Sequence, residues 1–190
     1  MDLFEFVVGF YVVIAGIGVT LLVKSVGQMI EARDRVQLYW IHSSWLVFVF
    51  FAHVNSWFTL WAYRDQPSWT VGQLLMLVSV PIFLYLASHV SVPEIPENST
   101  VRYDMREYFY RRHAILLGLV ALSILFNLGC ELLLLEDEVL TLGNYLRLAT
   151  LSLLLIGIFV SKPGVHVAIV LLLGALLLYG ITFLDNPIAN

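Results

Sequence analysis

The fold class is decided by the stretch from His113 to Lys162, which reads HAILLGLVALSILFNLGCELLLLEDEVLTLGNYLRLATLSLLLIGIFVSK. Two long apolar runs lie on either side of the acidic triplet 136–138. Each run is long enough, at about 20 residues or more, to cross a hydrocarbon core of ~30 Å as a helix. The short connection makes the two helices antiparallel. The stretch therefore predicts a transmembrane helical hairpin.

The rest of the chain repeats this pattern. Of its 190 residues, 60% are hydrophobic and 13% are charged, whereas a soluble domain is about half apolar and about a quarter charged. Backbone groups inside hydrocarbon must be hydrogen-bonded within their own segment, so single apolar runs of this length predict helices. The chain is predicted to be all-α, a polytopic transmembrane bundle forming one domain over 1–190. Its six spans are expected at about 3–23, 39–63, 69–92, 113–135, 139–160 and 165–184.

The basic residues predict how the bundle is oriented. Ten Lys and Arg residues are present, and most of them fall in the loops 24–38, 93–112 and 161–164. Because basic residues accumulate on the cytoplasmic side, these three loops are predicted to be cytoplasmic and both termini extracytoplasmic. The residues concerned are Lys24, Arg33, Arg35, Arg102, Arg106, Arg111, Arg112 and Lys162.

Two of these loops are predicted to be ordered. Residues 24–37 keep helical spacing and contain no proline, so we expect them to continue the first helix. In the third loop, Ser99 or Thr100 is expected to cap a helix that ends at Arg112. That segment mixes aromatic and basic residues, a composition typical of a helix on anionic lipid. The alternative is an ordinary collar of basic residues at the cytoplasmic boundary.

Polar residues inside the spans suggest where a site lies. Ser123, Asn127 and Glu131 recur every fourth residue and form one polar stripe on the fourth helix. Counted from the outer boundary at ~1.5 Å per residue, Glu131 lies ~6 Å deep, Asn127 and Arg147 ~12 Å, and His53 ~15 Å. Ionisable groups in a membrane span often mark a functional site.

Three readings of this group follow, and the last is that the span boundaries lie elsewhere and some of these side chains reach the membrane surface. In the first, Arg147 reaches Glu131 across the turn and the ion pair only ties the hairpin together. In the second, His53, Asn127, Glu131 and Arg147 line a cavity and bind a polar or charged solute. These four are the predicted substrate-binding residues. Since Arg147 repels cations and His53 can gain a proton near neutral pH, the predicted solute is an anion or a proton-coupled acid.

A second group consists of histidines near the predicted inner ends of the helices, namely His42, His89, His113 and His166. Contact with lipid headgroups is one interpretation. The alternative is a redox protein, since haem in a helical bundle needs two histidines that face each other. The sequence shows no metal motif such as HExxH and no hydrolase or nucleotide-binding motif. We therefore predict no catalytic residue, no metal ligand and no cofactor.

Two segments carry a resemblance to a known group of proteins. The first, from Leu38-Tyr39-Trp40-Ile41-His42 to Trp57-Phe58-Thr59-Leu60-Trp61, and the second, Tyr108-Phe109-Tyr110-Arg111-Arg112-His113, resemble segments of small bacterial six-helix membrane proteins. The resemblance implies a bacterial inner membrane. It implies no activity for any residue.

Three functional hypotheses remain open at the level of sequence. The chain is a small channel or carrier, a membrane-bound redox protein, or a non-catalytic scaffold or sensor subunit. A carrier of only six helices is expected to work as a homo-oligomer. The predicted partners are membrane lipids and further copies of the chain, with no nucleic acid.

Overall fold

Six long helices dominate the computed structural model, which describes residues 3–66, 68–96, 100–135 and 141–183. They are α1 (Leu3–Glu31), α2 (Trp40–Thr59), α3 (Val71–Ser91), α4 (Met105–Cys130), α5 (Leu142–Phe159) and α6 (Pro163–Phe183). A 3₁₀ turn (Leu60–Tyr63) extends α2, and a π turn (Glu131–Leu135) extends α4. Two short strands, β1 (Val36–Gln37) and β2 (Tyr103–Asp104), complete the described elements.

All six helices are long and apolar enough to cross a membrane, as the sequence predicts. Large apolar side chains also remain exposed on their outer faces, including Phe10, Trp57 and Phe159. A soluble protein would bury most of such surface, whereas lipid can cover it. The fold is thus compatible with a multi-pass integral membrane protein.

The helices pack around α3 and α4. Helix α3 contacts α1, α2 and α4, while α4 also contacts α5, and α6 packs against α5 and α2. Trp45, Leu117 and Leu154 belong to one buried apolar cluster, and Tyr11, Leu77 and Cys130 belong to another. The second cluster adjoins the polar residues described below.

The two strands join the predicted cytoplasmic loops. β1 pairs in parallel with β2, and Val36 is the partner of Tyr103. The Tyr103 amide also donates to the Arg35 carbonyl over 2.8 Å. This pairing brings Val36 of the first predicted cytoplasmic loop and Tyr103 of the second to the same end of the bundle.

The start of α4 differs from the expectation. The cap is Asp104, whose carboxylate accepts from the Arg106 amide at 2.7 Å and the Glu107 amide at 3.3 Å. Thr100 lies outside the helix, and Ser99 falls outside the described residues. The aromatic and basic segment is therefore the first part of α4 rather than a separate surface helix. By contrast, α1 continues to Glu31, as expected.

Candidate functional site: a buried ion pair between α4 and α5

The centre of the site is an ion pair between Glu131 and Arg147. Arg147 lies on α5, and Glu131 is the first residue of the π turn. Arg147 Nη2 donates to Glu131 Oε1 over 2.6 Å, and Nη1 donates to Oε2. The contact between these two residues, expected from sequence, is confirmed. Two parallel bonds from a guanidinium to a carboxylate form a strong and well-oriented pair.

The beginning of α5 supports this pair. Thr141 caps the helix by accepting from the Asn144 amide over 3.2 Å. The Asn144 side chain, one turn before Arg147, accepts from Arg147 Nη1 over 2.9 Å. Asn144 is buried. The cap and the side-chain contact together fix the position of the guanidinium. The spacing of three residues between Asn144 and Arg147 is the sequence signal that could have found this contact.

The ion pair is mostly buried, with 15% of the Glu131 side chain and 25% of the Arg147 side chain exposed. Its position at a π turn is also notable, since such turns are rare and frequently lie at functional sites. Charges held away from water need complete neutralisation. Here the carboxylate and the guanidinium neutralise each other.

A hydrogen-bonded chain of polar groups lies on the α2 side of α4. Asn127, one turn before Glu131, donates from Nδ2 to Thr59 Oγ1 over 3.3 Å. The Thr59 hydroxyl donates to the Ser56 carbonyl over 2.8 Å, and the Tyr11 hydroxyl donates to the same carbonyl over 3.2 Å. Asn127 therefore connects the polar stripe of α4 to α2 and α1.

Tyr63 is the residue of the site that sequence reasoning missed. It ends the 3₁₀ turn, and 1% of it is exposed. Its hydroxyl has no hydrogen-bond partner among the described residues, although Glu131 and Arg147 lie within electrostatic range. A buried hydroxyl without a partner is costly and needs an explanation. No sequence pattern marks it, because its position depends on how α2 packs against α4.

His53 lies in a different environment from the other three predicted site residues. Its Nε2 is 3.0 Å from Ser88 Oγ on α3, and its ring lies against Gly18 of α1. Within the described parts of the chain, no hydrogen bond or ion pair joins His53 to Asn127, Glu131 or Arg147. The structure groups Asn127, Glu131 and Arg147 around the end of α4 and places His53 between α1, α2 and α3.

The histidines near the other end of the bundle are mostly buried in protein. His42, His113 and His166 are buried, and only His89 is exposed. The expected contact with headgroups is therefore wrong for three of the four. His42 Nε2 is 2.6 Å from the Ser91 carbonyl oxygen. Sequence reasoning gave the depth of these residues but not the direction in which each side chain points.

The geometry of these histidines does not favour a haem site. The His113 and His166 rings are in edge-to-face contact, with centroids 5.1 Å apart. The two axial ligands of a haem lie on opposite sides of its iron, and ring centroids 5.1 Å apart are too close for a macrocycle between them. Among the described residues, no group of three or more His, Cys, Asp or Glu is arranged to hold a metal ion.

Two surface cavities lie away from the ion pair. One, of about 260 Å³, is formed by α1 and the end of α3, with Lys24, His89 and Glu94 in its wall. The other, of about 410 Å³, is lined by Tyr108, Arg111, Arg112 and Ile115 of α4. Neither is lined by a predicted site residue.

Fold and site together define a class: a six-helix bundle of membrane-protein type that contains a buried, bidentate ion pair. The chain matches no protein-family model, no curated protein and no solved structure. The resemblance to small bacterial six-helix membrane proteins stays a prediction.

Proposed function

We propose that this chain is a membrane carrier that binds a small oxyanion at Arg147, together with a proton on Glu131. In the structure described here, the Glu131 carboxylate occupies the two donor positions of the guanidinium. Protonation of Glu131 removes its negative charge, and a solute anion can then take its place. A bidentate guanidinium is best matched by an oxyanion with two oxygens in one plane, such as a carboxylate.

The observation that carries this proposal is the Tyr63 hydroxyl. It is buried within electrostatic range of Glu131 and Arg147 and has no hydrogen-bond partner in the described structure. A purely structural ion pair gives no reason to keep an unpaired hydroxyl within electrostatic range of it. A bound anion would accept a hydrogen bond from that hydroxyl and remove the cost of leaving it unpaired.

Charge balance favours proton coupling. An anion that entered alone would add a negative charge to a site that is now neutral, and an unbalanced charge in a low-dielectric environment is expensive. An anion that enters with one proton leaves the net charge of the site unchanged. The same argument disfavours a cation, because Glu131 is already neutralised by Arg147.

The main alternative is a scaffold or sensor subunit in which the pair only ties the hairpin. Asn144 supports this reading, because it completes the contacts of Arg147 without a solute. The two readings differ in one property. A carrier must release Glu131 from Arg147 during its cycle, whereas a structural tie never does.

The membrane, the orientation and the oligomeric state of the carrier are also part of the proposal. The distribution of basic residues and the resemblance noted above support a bacterial inner membrane with both termini outside. Six helices are few for a pore within one chain, which supports a homo-oligomer.

Flux into liposomes tests the carrier. The purified protein is reconstituted with a pH-sensitive dye inside the vesicles, and nitrate or lactate is added outside. Wild-type vesicles should acidify when the oxyanion is added. Chloride lacks two in-plane oxygens and should cause much weaker acidification. Arg147→Gln should abolish the acidification.

Arg64→Gln is the matched control, because Arg64 is exposed and pairs with the neighbouring Asp65. It removes the same charge outside the site and should transport like the wild type. Wild-type vesicles that never acidify faster than empty ones, or Arg147→Gln vesicles that acidify normally, would contradict the carrier.

A further inference from the structure

The second buried polar group of the bundle lies where α4 meets the start of α6. His113 belongs to α4, and His166 is in the first turn of α6. They are 7% and 0% exposed. Phe109 packs against both rings, at 6.0 Å from His113 and 5.2 Å from His166. Two imidazoles from different helices thus share one apolar pocket.

His113 is held in the manner of a metal ligand. Its Nδ1 is 2.8 Å from the Tyr110 carbonyl oxygen. A carbonyl can only accept, so Nδ1 carries the proton and the Nε2 lone pair faces the Ser161 hydroxyl, from which it accepts. Histidines that bind metals commonly donate their second N–H to a carbonyl in this way. Nε2 lies 3.3 Å from the hydroxyl of Ser161.

His166 has no polar contact that explains its burial. Neither of its ring nitrogens makes a hydrogen bond of ordinary geometry within the described structure. The Val160 carbonyl lies within reach of one ring nitrogen for a weak hydrogen bond, which leaves the other nitrogen without a partner in the described structure. A buried polar atom without a partner needs an explanation, and an ion bound at that atom is one. Imidazole nitrogens are the commonest metal ligands in proteins.

The distance between the rings fits one particular geometry. In a tetrahedral site the metal–nitrogen distance is about 2.0–2.1 Å, so two coordinated imidazoles have centroids about 5 Å apart. The observed separation is 5.1 Å, with the ring planes at 86°. This arrangement differs from the axial pair of a haem. Axial ligands lie on opposite sides of the iron, whereas two ligands of a tetrahedral ion are at an angle to each other.

We propose that His113 and His166 bind one tetrahedral divalent ion, with Zn²⁺ as the favoured metal. Imidazole suits zinc and its neighbours in the first transition series. The two remaining positions would be taken by the Ser161 hydroxyl and by a water molecule that the ion can deprotonate, which reduces the charge held in the pocket. Ser161 is exposed, which gives the ion a path from the surface near 161–164. With only two protein nitrogens, the ion should exchange readily. This site is independent of the ion pair and of the proposed carrier function.

Cobalt titration of the purified, metal-free protein in detergent tests the site. Co²⁺ in a tetrahedral site absorbs visible light strongly, so one equivalent should produce these bands and Zn²⁺ should remove them. His113→Ala and His166→Ala should each weaken Co²⁺ binding by about 10-fold or more. Loss of a residue that only hydrogen-bonds to a metal ligand already lowers metal affinity by about that factor. His89→Ala, which removes an exposed histidine, is the matched control and should leave binding unchanged.

A measurement on the wild type covers the case in which the histidine variants fail to fold. Cu²⁺ replaces Zn²⁺ with higher affinity, and pulsed electron paramagnetic resonance counts the imidazoles bound to it. Two imidazoles are expected. A single imidazole, no tetrahedral cobalt bands, or full binding by folded His166→Ala would overturn the proposal.

Discussion

Removing either partner of the Glu131–Arg147 pair should strongly destabilise the bundle. The side chains are 15% and 25% exposed, so a single substitution leaves a largely buried charge without its partner. Such a loss costs about 3–5 kcal/mol. For a chain of this length, ~2–4 °C per kcal/mol converts that cost to roughly 6–20 °C in Tm. We expect this loss for Glu131→Gln and for Arg147→Gln, measured by thermal unfolding in detergent.

The double variant shows whether Glu131 and Arg147 are energetically coupled. With both charges replaced by amides, no charge is left unpaired, so the double variant should recover about 1–3 kcal/mol relative to the sum of the single losses. Glu107→Gln and Arg111→Gln are the matched controls, because that pair is 67% and 70% exposed. Each should cost at most ~1 kcal/mol. Losses at 131 and 147 that simply add would refute the energetic coupling of the two residues.

Three further outcomes are expected. Gly18→Ala places a methyl group against the His53 ring and should cost ~1–3 kcal/mol by overpacking, whereas Gly16→Ala meets nothing within 4 Å; a thermal scan showing equal effects would contradict this packing. Asp104→Ala should cost about 1 kcal/mol by removing a helix cap, and Asp104→Asn much less. A cysteine replacing Glu138 in an otherwise cysteine-free chain should react with an impermeant thiol reagent added outside whole cells, and labelling only after permeabilisation would reverse the predicted orientation.

The helices were predictable because length and hydropathy are local properties. Each of the six apolar runs forms a helix where expected, since a chain in hydrocarbon has few other ways to satisfy its backbone. The start of α4 was not predictable in the same way. Asp104 caps that helix while β2 pairs with β1, a strand far away in sequence. Such non-local pairing leaves no periodic signal.

The candidate site was predictable only in part, for a geometric reason. Glu131 and Arg147 lie near the facing ends of consecutive helices, so opposite charge and sequence position together indicate their contact. The depth of a residue in a span fixes its position along the membrane normal but not the direction in which its side chain points. It placed His53 level with Arg147 but could not show that the His53 ring faces Ser88 on α3. Tyr63 escaped notice because its burial depends on helix packing.

In the proposed carrier, Arg147 exchanges the Glu131 carboxylate for an oxyanion, and a proton accompanies the exchange. The most direct test is the proton uptake when saturating nitrate, which does not titrate near neutral pH, is added to the purified protein in weakly buffered detergent solution. The account predicts about one proton taken up per nitrate bound by the wild type. It also predicts that Glu131→Gln, whose side chain resembles the protonated carboxyl group, binds nitrate with no proton uptake. Nitrate binding without proton uptake in the wild type, or the same uptake in Glu131→Gln, would contradict it.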